Sequence, residues 1–248
     1  MLHRVQRSIR NVRDLGIGRR DIWTNARMAF ADVPVDPKAV RDWLPWPLSL
    51  ASPPRATVFI ADYPKTTFGS VYREAAVLVH VRLFGVRMAF CPWMVVDDDR
   101  ALILGRELLG YPKKMADIRF QEKGGELSAS VLRHGVEVMR IEGAIGDVDA
   151  APAPGIGRRA VNLRGLMSFA PNHLLVFRPV ETIHECRTLD ARVTLRSSPD
   201  DPIGVATGPA ERASIRTCDI GSSLWQMPLR AVPVPATFTL SQLELRVR

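Results

Sequence analysis

Lysine is scarce in this sequence. Of the 34 basic residues only five are lysine: Lys38, Lys65, Lys113, Lys114 and Lys123. Arginine serves wherever a bare positive charge suffices, so each lysine raises the question of what arginine cannot do. Arginine is not deprotonated in practice and cannot act as an amine nucleophile; lysine can, once its pKa is lowered. Cysteine is scarce as well. Cys91, Cys186 and Cys218 are far apart and odd in number, which argues against a disulfide framework, and no metal-ligand spacing joins them to the five histidines. A reducing, cytoplasmic setting is expected. No apolar run approaches the ~18 residues of a membrane span, and the arginine-rich stretch Met1–Arg20 lacks the apolar core of a signal peptide.

What is present points to an ordinary globular protein, with 46% hydrophobic and 24% charged residues. The net charge of +8 raises nucleic acid as a partner. The arginines are scattered among apolar residues, however, as in Val79-His80-Val81-Arg82-Leu83, and no nucleic-acid motif accompanies them. The expectation is a basic solvated surface with no nucleic-acid or membrane partner, whose field draws in small carboxylates.

Along the chain, residues 1–20 read as a basic arm and residues 21–248 as one domain. Asn25–Val33 looks like a strand, and Asp36-Pro37 opens a short helix with Asp36 as N-cap. Strand-like segments follow at Ala56–Ala61, Glu74–Phe84, Val86–Val95, Ala101–Leu104, Asp117–Gln121, Glu126–Leu132 and Val136–Ile145. Gly124-Gly125 and His134-Gly135 read as hairpin turns. Residues 149–157 read as a loop, and strands resume at Leu174–Phe177, Ile183–Leu195 and Ala213–Ile215. Closely spaced strands with few helices predict a barrel or sandwich. Asp97-Asp98-Asp99 reads as a polar turn between two strands, not a metal site. His173 and His184 read as structural. Gly16-x-Gly18 and Gly155-x-Gly157 lack the strand-to-helix setting of a dinucleotide loop.

Lys113 stands out by its setting. Pro112 fixes its own backbone and biases Tyr111 toward an extended conformation, while Trp93, Met94, Leu108 and Leu109 could line an apolar pocket. A free lysine titrates near ~10.4, and burial alone can lower that by ~3–5 units. Composition by itself favours two solvated lysines after a turn.

The segment Gly105-Arg106-Glu107-Leu108-Leu109-Gly110-Tyr111-Pro112-Lys113-Lys114 resembles the active-site segment of the acetoacetate decarboxylases. Tyr72-Arg73-Glu74 before a long strand, the proline turn ending Asp36–Leu48, and Pro171-Asn172-His173, Thr207-Gly208-Pro209 and Met227-Pro228-Leu229 resemble further landmarks in the same order. The resemblance implies an α+β, predominantly antiparallel fold: a conical β-barrel with a few flanking helices. It implies a homo-oligomer, a small keto acid as partner, and Schiff-base chemistry with no cofactor and no metal. Lys113 is then the nucleophile, Glu74 a pocket carboxylate that handles protons, and Lys114 the activating neighbour. Adjacent side chains of an extended segment point to opposite faces, which favours burial over Lys114 as the larger activating cause. Met94, Tyr111 and Leu109 are expected to touch substrate, and Arg106 and Glu107 to form a structural ion pair. The family carries an arginine near the start of its first strand. Gapless alignment places none here, and Arg27 and Arg20 are the nearest candidates, Arg27 being taken as substrate-binding. Two further readings stand beside decarboxylation: a pyruvate-using aldolase-dehydratase, whose kind carries a polar side chain where this chain has Leu109, and a non-catalytic small-molecule-binding relative.

Overall fold

The computed structural model describes residues 22–165, 172–221, 230–234 and 245–246. The basic arm, Arg20, Pro171 and the Met227-Pro228-Leu229 landmark lie outside them. The strands are β1 (Trp23–Pro34), β2 (Ser49–Leu50), β3 (Arg55–Tyr63), β4 (Tyr72–Leu83), β5 (Val86–Val96), β6 (Lys113–Met115), β7 (Asp117–Lys123), β8 (Glu126–Arg133), β9 (Val136–Val148), β10 (Ala160–Arg164), β11 (Asn172–Phe177), β12 (Val180–Leu195), β13 (Arg212–Gly221) and β14 (Arg230–Val234). The helices are α1 (Pro37–Arg41) and α2 (Asp99–Leu109).

One sheet joins all the strands in the order β14-β11-β10-β5-β4-β3-β1-β13-β12-β9-β8-β7, with β2 on β4 and β6 on β5. Pairing is antiparallel except where β6 and β10 run parallel to β5. The predominantly antiparallel α+β class is as the sequence predicts. The sheet is not closed among the described residues: the path has two ends, and β14 does not pair with β7. β7 curls back over β3 and β4 without pairing to them. Its Asp117, Arg119, Glu122 and Lys123 are the kind of charged side chains that blunt a strand edge.

The central strands bury both faces, and the period of two sorts their side chains. Ala75, Val77, Val79 and Val81 of β4 join Val58 and Ile60 of β3 in the larger core. Tyr72, Ala76 and Leu78 of β4 join Phe59 and Tyr63 of β3 and Met94 of β5 on the other face. Glu74 belongs to that second face.

A correction concerns Ala101–Leu104, which is the interior of α2 and not a strand. Asp98 is its N-cap, accepting from Ala101 N at 2.7 Å, and Asp99 is acidic in its first turn. Asp97 Oδ1 separately accepts from Arg73 N at 2.6 Å. Gly110 ends α2 in the left-handed region at φ 68°, where a glycine costs least. A Cβ there would also lie 2.8 Å from Leu163 O. α2 is therefore the crossover between parallel strands β5 and β6, as such connections require. Asp36 caps α1 as expected, accepting from Lys38 N at 2.8 Å.

β5 has a divided edge. β10 pairs with it at Ala89 and Phe90, β6 at Met94 to Val96. No strand pairs with Cys91-Pro92-Trp93 on that side among the described residues, and Pro92 has no N–H to offer.

Candidate active site

The second face of the sheet, roofed by α2, encloses a cavity of about 270 Å³. β6 starts at Lys113 beside Met94 of β5, and its period of two sends the two lysines opposite ways. Lys113 enters the cavity and is 4% exposed. Its Nζ donates to Glu74 Oε2 at 2.5 Å, and Glu74 is 7% exposed. Tyr63 donates its hydroxyl to Glu74 Oε1 at 3.4 Å. The ring centres of Tyr72 and Tyr111 lie 5.5 and 6.0 Å from Nζ.

α2 approaches this amine as closely as it does because residue 105 has no side chain. A Cβ on Gly105 would stand 2.4 Å from Cε and 2.6 Å from Cδ of Lys113. Arg106, the next residue, donates from Nη1 to Lys113 O at 3.1 Å. It does not pair with Glu107, so the expected ion pair is replaced by a tie from α2 to the lysine's own backbone.

The other polar groups of the cavity narrow its chemistry. Burial pushes the Cys91 thiol well up, so it stays protonated and is a poor nucleophile. Burial, with Glu74 adding to it, raises Tyr63 and Tyr72; Tyr111 is raised by burial first, then by Cys91 and Glu74. These phenols remain protonated. Tyr72 is fixed by Trp23, whose Nε1 donates to its hydroxyl at 2.9 Å. Asn162 of β10 donates to Leu109 O at 3.0 Å and ties the end of α2 to the sheet. Among the described residues the cavity thus presents one lysine amine, that of Lys113, with the Glu74 carboxylate within hydrogen-bond reach of it. Phe59, Phe68, Leu78, Leu104, Leu108 and Phe177 supply much of the remaining wall.

Of the residues singled out from sequence, Lys113, Glu74, Met94, Tyr111 and Leu109 all line this cavity. Lys114 does not. Its Nζ donates on the opposite face to Asp201 Oδ1 at 2.5 Å, and Asp201 is 0% exposed. That carboxylate also accepts from Trp93 Nε1 at 2.7 Å and from Arg133 Nε at 2.7 Å. Burial lowers the Lys114 pKa while Asp201 partly restores it. For Asp201, burial acts upward, but the donors Lys114 and Trp93 and the Arg133 charge outweigh it and leave the acid below its usual range.

Arg27 lies outside the cavity too. Both arms of its guanidinium are held by Glu122, at 2.6 and 2.7 Å, and its third nitrogen by Thr217 at 2.9 Å. The arginines on the cavity lining are Arg158 and Arg164, which no motif marks. Arg158 ends the Pro/Ala/Gly-rich loop, donating to Pro154 O at 2.9 Å and facing Asp32 and His80. An arginine pair, Arg158-Arg159, closing a loop was the available signal, and the same pair at Arg19-Arg20 offers no contrast.

The acetoacetate decarboxylase (ADC) family model matches residues 14–214. Acetoacetate decarboxylase 1 of Mesorhizobium japonicum is 37% identical over 81 residues, 33% of this chain and 32% of that protein. The chain thus aligns with about a third of the length of such a relative. Among solved structures, acetoacetate decarboxylase from Legionella pneumophila superposes with a TM-score of 0.72 at 16% identity, covering 87% of each chain. The enduracididine biosynthesis enzyme MppR, complexed with pyruvate, gives 0.68 at 19% identity, covering 86% of this chain and 90% of that one. At these identities the two structures speak for the fold alone. The family match covers β1 to β12, α2 and both lysines, and with it this chain belongs to the acetoacetate decarboxylase family.

Proposed function

We propose that this chain is a Schiff-base-forming carboxy-lyase that decarboxylates a β-keto acid. One observation carries the reading: a lysine amine, 4% exposed, stands in an apolar cavity with a carboxylate 2.5 Å away.

Attack needs the uncharged amine, and Glu74 is placed to accept its proton. Nζ bonds to the keto carbon and water leaves, giving an iminium. The bond between the α-carbon and the carboxylate carbon then breaks. Its electron pair moves into the iminium, CO2 departs, and an enamine remains. Glu74 gives its first proton to the departing water, takes a second from solvent and delivers it to the α-carbon; the iminium is restored, and water releases the ketone and the protonated amine. The sum is one keto acid and one proton converted to one ketone and CO2. An apolar wall favours the step, because the carboxylate's charge is dispersed as neutral CO2 forms. Arg158 and Arg164 on the lining provide positive charge to draw the anion inward.

The test is borohydride reduction in the presence of acetoacetate, followed by peptide mapping. The expected adduct is on Lys113 and absent in Lys113→Gln. Labelling elsewhere, or none with any keto acid, overturns the reading. Trapping with pyruvate, without CO2 release from acetoacetate, would favour the aldolase-dehydratase alternative, a reading that likeness in fold to a pyruvate complex keeps in play.

A further inference from the structure

The cavity is longer than acetoacetate requires. Lys113, Glu74 and Met94 stand together in the lining, between the aromatic group Tyr63, Phe68 and Tyr72 on one side and Leu78 on the other. From Glu74 the same face of β4 continues to Leu78, four residues on, a span of roughly 14 Å at ~3.4 Å per residue. β5 runs alongside from Met94 through Cys91 to Ala89, and all of these line the cavity. Ala89 pairs with Ala160 of β10, and Ala160 with Phe177 of β11. Leu78, Ala89, Ala160 and Phe177 thus form an apolar far wall. Acetoacetate has three C–C bonds of ~1.5 Å and reaches under ~5 Å, so bound at Lys113 it leaves that wall bare. An unfilled apolar void forfeits dispersion contacts on every side, and an apolar tail would restore them.

We propose that the substrate is a 3-oxo acid carrying an extended apolar acyl tail, laid along β4 and β5 from Lys113 to the wall formed by Leu78, Ala89, Ala160 and Phe177. The proposal rests on the Schiff-base reading above. The seven C–C bonds beyond the keto carbon of 3-oxodecanoate, at ~1.5 Å each, measure under ~11 Å and fit within that span.

The experiment compares kcat/KM for acetoacetate, 3-oxohexanoate, 3-oxooctanoate and 3-oxodecanoate, with borohydride trapping of each. The expected rise is roughly fourfold per methylene until the wall is reached, which is ~0.8 kcal/mol for each buried CH2. Ala89→Leu and Ala160→Leu shorten the far end without touching Lys113 or Glu74. Each is expected to lower kcat/KM for 3-oxodecanoate about tenfold or more and to leave acetoacetate within about twofold. A flat profile, or one highest for acetoacetate, overturns the proposal while adducts still form. Long-chain preference unchanged in both variants also overturns it, since the tail then lies elsewhere. If a leucine variant fails to fold, the wild-type profile decides. Absence of any adduct overturns the lysine chemistry itself, a distinguishable failure.

Discussion

A methyl group on Gly105 would meet Cδ and Cε of Lys113 at 2.6 and 2.4 Å. The lysine chain can yield, but only by leaving its place beside Glu74. Gly105→Ala should therefore lower kcat/KM by about 10²-fold, the scale of a 1 Å misplacement. Thermal stability should change little, because alanine's helix preference of ~1 kcal/mol opposes the clash. Activity and melting temperature measured together check this. The adjacent lysine predicts the opposite pattern. Lys114→Met leaves Asp201 with Arg133 as its remaining charged partner and should cost about 3 kcal/mol in denaturant unfolding, while borohydride still labels Lys113. His80 offers a pH test. Burial first, and then the Arg158 charge, lower its imidazole to about 4, with Asp32 opposing. An unfolded histidine titrates near ~6.5. As pH falls below that value the unfolded chain takes up a proton that the folded chain refuses. The stabilisation present above ~6.5 is thus lost toward about 4, by up to roughly 3 kcal/mol. Thermal melts across that window should show the decline, and His80→Gln should flatten it.

The nucleophile's surroundings depend on α2 as a unit, since Leu104, Gly105 and Leu108 face the cavity from it. Asp98→Ala removes its N-cap and should cost about 1 kcal/mol. Gly110→Ala must both hold a left-handed φ and meet Leu163 O at 2.8 Å, and should cost more. Circular dichroism melts and kcat should fall in the same order. α2 was also the element misread from sequence. Val95-Val96 before it and Ala101-Leu102-Ile103-Leu104 within it look like strand, yet Asp98 and Gly110-Tyr111-Pro112 were complete helix start and stop signals. Apolar run and capping pattern disagreed, and the caps prevailed because α2 packs one side on the site and leaves Ile103 exposed. The hairpin turns at Gly124-Gly125 and His134-Gly135 were legible because they need positive φ, which all four glycine and histidine residues adopt. Lys113 and Glu74, 39 residues apart, were legible only through the family resemblance. Arg27 misled because chain position at the start of β1 does not tell which face its side chain takes, and Glu122, 95 residues away, decides that.

The whole molecule carries a charge of +8 and is proposed to act on an anion. Its kcat/KM should fall severalfold as salt shortens the Debye length from ~30 Å toward ~8 Å, with kcat nearly constant; initial rates across a salt series test this. The rolled but open sheet could not be read from strand count, because closure depends on whether two distant edges meet. That sheet is a partition. Ala75, Val77 and Val79 answer to the packing of one side, whereas Glu74, Ala76 and Leu78 face the reaction chamber or the core around it. Selection can therefore act on alternate residues of one strand almost independently. A saturation library of β4 scored separately for folding and for chain-length preference should split into two interleaved sets, giving this lineage a route to new substrates that leaves its foundation intact.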